Sequence, residues 1–446
     1  MSVNSQQAPL KIKCLIVGGG IAGLACSYAL RLSGHETVVV DQHGMQGKTE
    51  GCIQSPPNMT RILARWPGMA SFLLTHGTRC TGLSFRQGKT SEPVGFMKFH
   101  HQIMSELEAE FLVIQHNDLR RKLYSLCSDA GVLFKDGKVT GVVKSADGVR
   151  VRLENGEMLR GTIVVGADGH NSFVRSFVMD EHTKPEHIVS GVNISIPTRI
   201  IREDEEFSSL CKENEFTIWM GSGSSITGTL NNKNETFNLA ICSPTFLESL
   251  DSNLYESHDL TCLRPFDLSG YDPKLQKLIK RGKNCRPTVH KVFKQEDVVG
   301  LDGSIVLVGD AAHSIVINGS HNASMAVEDA VTLGTLFSHL SDPKQIPIFT
   351  ETYEELRLRR TNDTRISEYQ SLVQISLPPG PLQEGRDAAL KLTLDQTFED
   401  FENCDSSDLL VQAWEQYIVL FSHDASEAVE NWWSLNWWAK WSCGEE

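Results

Sequence analysis

The chain has 446 residues, of which 40% are hydrophobic, 22% charged and 8% aromatic. This composition is that of a globular protein, and it excludes a disordered, collagenous or small disulfide-rich chain. The formal net charge of −14 argues against nucleic acid or an anionic membrane as the main partner, because both repel an acidic surface. At roughly 150 residues per domain, the length allows two or three domains with a large cofactor between them.

The cysteines form no recognisable metal or disulfide pattern. All eleven are scattered, without a Cys-X-X-Cys pair and without the Cys/His spacing of a metal site. We interpret them as reduced thiols, which predicts a cytoplasmic protein without a bound metal. The apolar run over 14–30 contains four glycines, so it is not interpreted as a signal peptide. No run of about twenty apolar residues predicts a membrane span.

The first predicted structure is a βαβ unit that follows a flexible N-terminus, residues 1–12. Buried strands are predicted over 13–17 and 37–40, with a helix between them that ends near Leu32. The turn before the helix reads Gly-Gly-Gly-Ile-Ala-Gly over 18–23, which is a dinucleotide-binding fingerprint in its expected context.

Individual residues of this fingerprint have distinct predicted roles. Gly18 permits the tight turn, Gly20 lets the backbone approach a pyrophosphate, and Gly23 allows the helix to pack closely on the strand. Asp41, at the end of the second strand, is expected to accept hydrogen bonds from the ribose hydroxyls of an adenosine.

Strand-rich stretches come next along the chain, and helices dominate its last hundred residues. A β-meander is predicted over 137–165, because apolar and polar residues alternate between turn sequences, and 186–296 is again rich in predicted strands. From 348 onward the chain is mainly helical. The other predictions are a loop over 47–58, helices over 59–76, 118–130, 273–280 and 323–340, and strands over 188–196, 216–220, 237–241 and 305–308.

Two further motifs each follow a buried strand. The first reads Gly-Ala-Asp-Gly-His-Asn-Ser over 166–172, and the second reads Gly-Asp-Ala-Ala-His over 309–313. An Asp at the carboxyl end of a parallel strand, here Asp168 or Asp310, is placed to bond a ribityl or ribose hydroxyl. The helix that follows can direct its N-terminus at a flavin ring. The three elements in this order are highly specific for such a site.

With these motifs the chain resembles the FAD-dependent aromatic hydroxylases, which are single-component flavoprotein monooxygenases. More narrowly it resembles their fungal salicylate-hydroxylase-like branch, over about residues 12–432. The narrower resemblance rests on Ile-Gln-Ser-Pro-Pro-Asn at 53–58, Tyr-Glu-Glu-Leu-Arg-Leu-Arg-Arg at 353–360, Pro-Pro-Gly-Pro-Leu-Gln-Glu-Gly-Arg-Asp at 378–387 and Phe-Ser-His-Asp-Ala at 421–425.

The resemblance implies an α/β fold in which a Rossmann-like FAD-binding domain is interleaved with a mixed β-sheet substrate domain and followed by C-terminal helices. The FAD-binding domain is expected over 13–185, including the β-meander, and resumes over 297–345. The substrate-binding β-sheet domain is expected over 186–296, and the helical region over 346–446.

The resemblance also implies an activity. In this family NAD(P)H reduces the flavin, O2 adds to it as a C4a-hydroperoxide, and one oxygen atom passes to an aromatic ring. FAD is thus the implied cofactor, with NAD(P)H and O2 as co-substrates. The implied reaction is hydroxylation, with or without loss of a carboxyl group, or epoxidation of an aromatic or related secondary metabolite. No second Gly-X-Gly-X-X-Gly motif is present for NAD(P)H.

The chain departs from the family pattern close to the chemistry. His116 stands where family members usually carry an arginine that contacts the flavin, with Arg120 and Arg121 just beyond it as substitutes. Ile317 and Asn322 stand where the family has a proline and a glycine beneath the flavin ring.

A further departure concerns the substrate side. The branch tends to have an active-site arginine in the strand after Gly191, but the segment between Gly191 and Pro197 reads Val-Asn-Ile-Ser-Ile. A tyrosine on a neighbouring strand is also missing, since the corresponding segment, 228–230, reads Gly-Thr-Leu.

Two histidines are the candidate catalytic residues. His321 is predicted near the flavin ring, where an imidazole can move protons near pH 7, and a solvent-facing loop histidine is the alternative interpretation. His116 is predicted to bond the ribityl chain in place of the arginine, whereas His313 is expected to be structural. The predicted FAD-binding residues are Gly18, Gly20, Gly23, Asp41, His116, Arg120, Asp168, Gly309, Asp310, Asn322 and Ala323.

Three functions from different classes fit the sequence. The first is an oxygenating enzyme with a reshaped pocket. The second is an FAD-binding enzyme that catalyses a redox-neutral cyclisation or isomerisation with the flavin in a structural role, and the third is a catalytically silent flavoprotein. Consumption of NAD(P)H coupled to a substrate distinguishes the first from the other two.

The C-terminal tryptophans are predicted to pack onto the body of the protein. Trp433, Trp437 and Trp441 are spaced four residues apart and share one helix face. A membrane-interface belt or a partner surface is the alternative. The sequence does not define the oligomeric state.

Overall fold

The structure is a computed structural model, and it has the predicted α/β architecture, with two large sheets, two three-stranded sheets and C-terminal helices. It describes residues 6–44, 51–145, 148–179, 184–212, 214–231, 233, 235–247, 260–282, 284–293, 297–317, 319–394 and 409–443.

The strands and helices are numbered here in chain order. The strands are β1 Lys13–Val17, β2 Glu36–Asp41, β3 Cys52–Ser55, β4 Thr78–Arg79, β5 Gly82–Gln87, β6 Pro93–Lys98, β7 Leu112–Gln115, β8 Leu133–Asp136, β9 Val139–Ser145, β10 Gly148–Leu153, β11 Met158–Gly161, β12 Ile163–Gly166, β13 His187–Pro197, β14 Phe216–Met220, β15 Ser225–Asn231, β16 Thr236–Ser243, β17 Asn284–Val292, β18 Val299–Gly300 and β19 Ile305–Leu307. The helices are α1 Ile21–Leu32, α2 Pro57–Ala64, α3 Met69–His76, α4 His101–Glu106, α5 His116–Asp129, α6 Thr198–Arg202, α7 Pro273–Ile279, α8 Asp310–His313, α9 Asn322–Ser338, α10 Gln345–Ile375, α11 Pro381–Lys391, α12 Leu409–Ser422 and α13 Ala425–Cys443.

A six-stranded sheet of order β18-β19-β12-β1-β2-β8 carries the three sequence motifs. Its strands are parallel except for the β18–β19 pair. The central strands consist of apolar residues buried on both faces, as is typical of parallel strands covered by helices. Since β1, β12 and β19 are neighbours, the motifs that follow them meet at one edge of this sheet.

A seven-stranded sheet of order β17-β13-β16-β15-β14-β5-β6 lies on the other side of the cavity described below. It is antiparallel except for the β14–β5 pair. Its even-numbered residues on β13, such as Ile194, pack with α7, whereas Asn193 faces the cavity. Residues 82–98, which the sequence placed with the FAD-binding part, supply two of its strands. The exact domain boundaries stay a prediction.

Two local predictions were wrong. The helix predicted over 59–76 is two helices, α2 and α3, because the chain turns at Trp66-Pro67-Gly68, where Pro67 cannot continue a helix and Gly68 has φ +69°. The loop predicted over 47–58 contains β3, which pairs antiparallel with β7. The predicted meander is present as the antiparallel sheet β9-β10-β11.

The C-terminal tryptophans pack as predicted. Trp433 stacks on His339 at 4.0 Å between ring centroids and on Trp437 at 4.3 Å, and Trp437 also contacts Phe349. These contacts hold α13 against α9 and α10. No described helix combines the length and the apolar character that crossing a membrane requires.

A buried ion network joins α9 to α10. The Arg357 guanidinium, 2% exposed, donates to Glu328 Oε2 at 2.8 Å and to Asp329 Oδ1 at 2.7 Å. Burial alone would raise the pKa of Glu328, but Arg360 and Arg357 hold that pKa well below its usual value. Glu328 also accepts a hydrogen bond from Asn58 Nδ2 at 2.7 Å, so α2 is tied to the same network.

We predict that Arg357→Met destabilises the protein by about 3–5 kcal/mol, because buried Asp329 loses its guanidinium partner and buried Glu328 keeps only Arg360. The exposed neighbour Arg359 is the matched control, and Arg359→Met is expected to change the free energy of unfolding by less than about 0.5 kcal/mol. Urea denaturation of the three proteins measures the difference. Equal effects of the two substitutions would contradict the role given to the network.

Candidate functional site

The candidate site is a cavity of about 360 Å³ between the motif edge of the six-stranded sheet and one face of the seven-stranded sheet. This volume lies within the range of about 300–1,000 Å³ typical of small-molecule sites. The six-stranded sheet and its helices supply the segments 20–22 and 167–170 (except Asp168), Asp310 and the start of α9. The three-stranded sheet β3-β7-β4 and the start of α5 supply 51–54 and His116.

The glycine turn between β1 and α1 forms one end of the cavity. Gly18 has φ +110°, and a Cβ at Gly23 would lie 1.9 Å from the Gly18 carbonyl oxygen, so both glycines are required by the fold itself. At Gly20 a Cβ would meet no atom within 4 Å, because this residue borders the cavity. The N-terminus of α1 therefore opens onto free space in which a phosphate can be bound.

Asp41 and Arg120 brace this turn from two sides. Asp41 Oδ2 accepts a hydrogen bond from the Gly19 amide at 2.6 Å. Arg120, on α5, is buried and donates from Nε to the Gly19 carbonyl at 2.9 Å and from Nη2 to the Gly44 carbonyl at 3.2 Å. Neither side chain lines the cavity, so their contact with a cofactor stays a prediction.

Asp168 has a local role in the structure. Its carboxylate accepts hydrogen bonds from Ser172 Oγ at 2.5 Å and from the amides of Phe173 at 2.7 Å and Val174 at 3.1 Å. The side chain does not line the cavity, whereas Ala167, Gly169 and His170 around it do. The carboxylate thus shapes the turn, and the prediction that it bonds a ribityl or ribose hydroxyl gains no support from this geometry.

The third motif is held close to the first two. Gly309 has φ +59°, and a Cβ there would lie 2.7 Å from Ala22 on α1. Arg175 donates to the carbonyl oxygens of His170, Asp310 and Ala311 at 2.9, 2.6 and 2.8 Å, which fastens the second motif to the third. The Asp310 side chain lines the cavity, as its predicted role requires.

The residues that depart from the family pattern, at the start of α9 and just before it, lie at the cavity. Asn322 and Ala323 both line it, as does Ile317. Asn322 Nδ2 donates to the Val316 carbonyl at 2.9 Å, which leaves Asn322 Oδ1 buried without a partner in the described part of the chain. A branched apolar side chain and an amide side chain therefore line the cavity at the two positions where the family pattern has proline and glycine.

His116 lies at the start of α5 and lines the cavity. Burial lowers its pKa to about 4, and the nearby charges of Arg286 and Arg120 act in the same direction. The imidazole is therefore neutral at pH 7. Its Nδ1 is buried and has no hydrogen-bond partner among the described residues, so it is available to a bound molecule.

The structure does not place His321 in the cavity. Its side chain is 1% exposed and its Nδ1 lies 2.7 Å from Glu368 Oε1 on α10, while the ring stacks on Phe421. The alternative of a solvent-facing loop histidine is wrong, and the catalytic hypothesis loses its geometric basis. His313 is structural as expected, since its Nε2 lies 2.5 Å from Asp329 Oδ2.

Sequence reasoning missed the residues that the seven-stranded sheet contributes. They are mostly polar and come from adjacent strands, which no local motif could show. The alternation of Arg286, Thr288 and His290 along β17 was the available signal, but that strand was not predicted. The sheet residues that line the cavity are Asn193, Phe216, Thr227, Thr229, Asn238, Leu239, Ala240, Arg286, Thr288 and His290. Of these, Leu239 has its side chain in the apolar core on the opposite face.

His170, His290 and Asp310 form a cluster that could suit a metal ion. Their ligand-type atoms lie within 4.8 Å of one another. Burial and the neighbouring His290 lower the pKa of His170 to about 4, and the nearby cations Arg175 and Arg286 add to the shift. Because the same cations repel a divalent metal, the cluster is better suited to hydrogen bonding with a neutral or anionic molecule.

Comparison with known families identifies the fold around this cavity. A model of the FAD binding domain family matches residues 11–245, which is more than half of the chain. The chain belongs to this family. The match confirms the prediction of an FAD-dependent oxidoreductase of the monooxygenase class.

Individual relatives are similar over most of the chain. The 3-amino-4-hydroxybenzoate 2-monooxygenase PtmB3 of Streptomyces platensis is 27% identical over 379 residues, covering 84% of this chain and 91% of the relative. The FAD-dependent monooxygenase OpS4 of the fungus Beauveria bassiana is 25% identical, covering 95% and 97%. The crystal structure of Klebsiella pneumoniae HpxO with FAD and uric acid has a similar fold, with a TM-score of 0.72, 21% identity and coverage of 92% and 96%.

The cavity fits FAD, the cofactor of the family. Cβ atoms added at Gly20, Gly51 and Gly169 would meet nothing within 4 Å, so these glycines leave a continuous cradle for a large molecule. The unpartnered His116 Nδ1 and Asn322 Oδ1 supply buried polar atoms to the same cavity. Buried polar atoms are costly without a hydrogen bond, which a polar cofactor would provide.

We predict that Gly20→Val lowers FAD affinity at least about tenfold and leaves the unfolding midpoint nearly unchanged. Its backbone, φ −77° and ψ −172°, accepts a β-branched residue, and the added side chain would occupy only the cradle. Gly23→Val is expected to lose both stability and FAD, because its Cβ would overlap the Gly18 carbonyl. FAD titration followed by flavin fluorescence, with thermal unfolding alongside, measures both effects. Full FAD affinity in Gly20→Val would contradict the cradle.

We also predict a pH dependence that originates at His116. Its folded-state pKa, about 4, lies below the usual value of about 6.5, so the folded state is stabilised by the neutral imidazole above pH 6.5. This contribution, about 3 kcal/mol at most, is lost as the pH falls from 6.5 through 4. His116→Gln should therefore flatten the fall in stability over that range. The exposed His101→Gln is the control, and a slope in His116→Gln equal to that of the wild type would disprove the assignment.

Proposed function

We propose that the protein is a monooxygenase that uses FAD, NAD(P)H and O2 to transfer one oxygen atom to an aromatic or related ring-containing substrate. The observation that carries this proposal is the cavity itself, which joins the glycine cradle to the polar face of the seven-stranded sheet. Named relatives that act on aromatic acids support the substrate class.

The residues divide between the two walls of the cavity. On the proposed cofactor side, the α1 N-terminus would hold phosphates, Asp310 would bond the ribityl chain, and neutral His116 would offer a hydrogen bond without adding charge. Bound FAD would take up a hydride from NAD(P)H and activate O2.

On the proposed substrate side, apolar and polar residues have different tasks. Phe216 and Ile317 would exclude water from the reacting atoms, while the sheet's amide and hydroxyl groups would orient the ring.

A redox-neutral cyclisation or isomerisation is the second candidate. It is favoured by one observation, that Ile317 and Asn322 place side chains at the cavity where the family pattern has a proline and a glycine. In that case FAD would shape the cavity and the product would have the mass of the substrate.

The decisive experiment is an anaerobic titration of the FAD-loaded protein with NADPH and then NADH, with and without a panel of aromatic acids. We expect bleaching of the flavin absorbance, faster with one ligand class, because the proposed reaction begins with reduction of the bound flavin by NAD(P)H in the presence of the substrate. After O2 is admitted, mass spectrometry should show a product with one added oxygen atom. A product of unchanged mass formed without bleaching would replace the proposal with the redox-neutral candidate.

A further inference from the structure

β17 carries the positive charge of the substrate wall. Of the described residues that line the cavity, Arg286 is the only lysine or arginine. It shares one face of the strand with Thr288 and His290, since alternate residues of a strand point the same way. Burial is the main cause of the lowered pKa of His116 and of His170 on the other wall, and the charge of Arg286 adds to both shifts, so Arg286 is close to that wall.

The register of the sheet places Arg286 directly beside Asn193. Arg286 is paired with Asn193 across β17 and β13, and Asn193 is paired with Ala240 across β13 and β16. All three residues line the cavity. Arg286 therefore lies in the same row of the sheet as Asn193, and its strand, β17, is the edge strand next to β13.

A second donor lies on the same face, at Asn238. Its Oδ1 accepts a hydrogen bond from Ser195 Oγ at 2.9 Å, which fixes the orientation of the amide, and its Nδ2 is buried without a partner in the described part of the chain. Two strand spacings and two residues separate Asn238 from Arg286, or about 12 Å between Cα atoms. With their side chains extended inward, the two donors can reach opposite ends of one aromatic molecule.

We propose that Arg286 determines substrate specificity by binding an anionic oxygen group, a ring-attached carboxylate, while Asn238 donates to a second acceptor on the same molecule. This inference rests on the proposed function, because it names the substrate class of that site. A guanidinium suits a carboxylate because it can donate two parallel hydrogen bonds with opposite charge. The orphaned Asn238 amide would gain the partner that burial demands.

The test compares acids with their neutral amides on the FAD-loaded protein. The probes are the pairs benzoate and benzamide, salicylate and salicylamide, and indole-3-carboxylate and indole-3-carboxamide, titrated by calorimetry. In the wild type we expect at least one acid to bind about 10- to 100-fold more tightly than its amide. Arg286→Gln should abolish this preference, and Arg286→Lys should retain part of it.

Lys291→Gln is the matched control for charge. Lys291 is exposed on the same strand and, being an odd residue, points to the opposite face from Arg286. The preference for acids should survive in this variant. Asn238→Leu should weaken the acid and the amide of a pair equally, because it removes a donor and no charge. Thermal unfolding of each variant checks that the fold is intact.

Several results would overturn the inference. They are an acid preference that persists in Arg286→Gln, equal binding of acids and amides in the wild type, or no acid binding at millimolar concentration. A parallel pair, 4-nitrophenol and 4-nitroanisole, tests an ionised phenol as the anion, and a preference found only there would reject the carboxylate. These titrations need no turnover, so they test the binding site separately from the proposed function. An Arg286-dependent preference for acids in a protein whose flavin is not bleached by NADPH would reject the monooxygenase function and leave the carboxylate site standing.

Discussion

The buried pairing of Arg357 with Glu328 and Asp329 is the interaction on which the site depends. Asp329 accepts hydrogen bonds from the Gly309 amide and lies against His313, so it fixes the third motif, while Glu328 holds Asn58 on α2. Two adjacent carboxylates at the centre of the protein would be untenable without cations, and α10 supplies both Arg357 and Arg360. The cavity wall thus keeps its shape through a helix that does not itself line it.

Arg175 has the corresponding role between the second and third motifs. A single guanidinium holds three carbonyl oxygens, one on the turn after β12 and two on α8. Because backbone atoms are bound, the arrangement is insensitive to the side chains that these turns carry. This explains how the frame of the site persists although His116, Ile317 and Asn322 differ from the family pattern.

The parts of the fold that were predictable from the sequence are those set by local rules. The glycine turn, Asp41 and the Gly-Asp-Ala-Ala-His segment were found because steric limits and strand ends determine them over a few residues. The burial of His321 could not be predicted from the sequence, because its partner Glu368 lies 47 residues further along the chain, on α10. Arg286 was missed since Pro287 next to it weakens the strand signal, and proline is tolerated there only because β17 is an edge strand.

The position of β17 at the edge of its sheet has an evolutionary consequence. Within the described sheet this strand is paired on one side only, with β13, so a change in its residues disturbs one ladder and leaves the central strands intact. The wall that carries Gly20 and Asp310 belongs to a different sheet, which β17 meets at His290, beside His170 and Asp310. A lineage with this architecture can therefore alter what it recognises by changes at Arg286 and Thr288 of one peripheral strand, while the wall that carries Gly20 remains under separate selection.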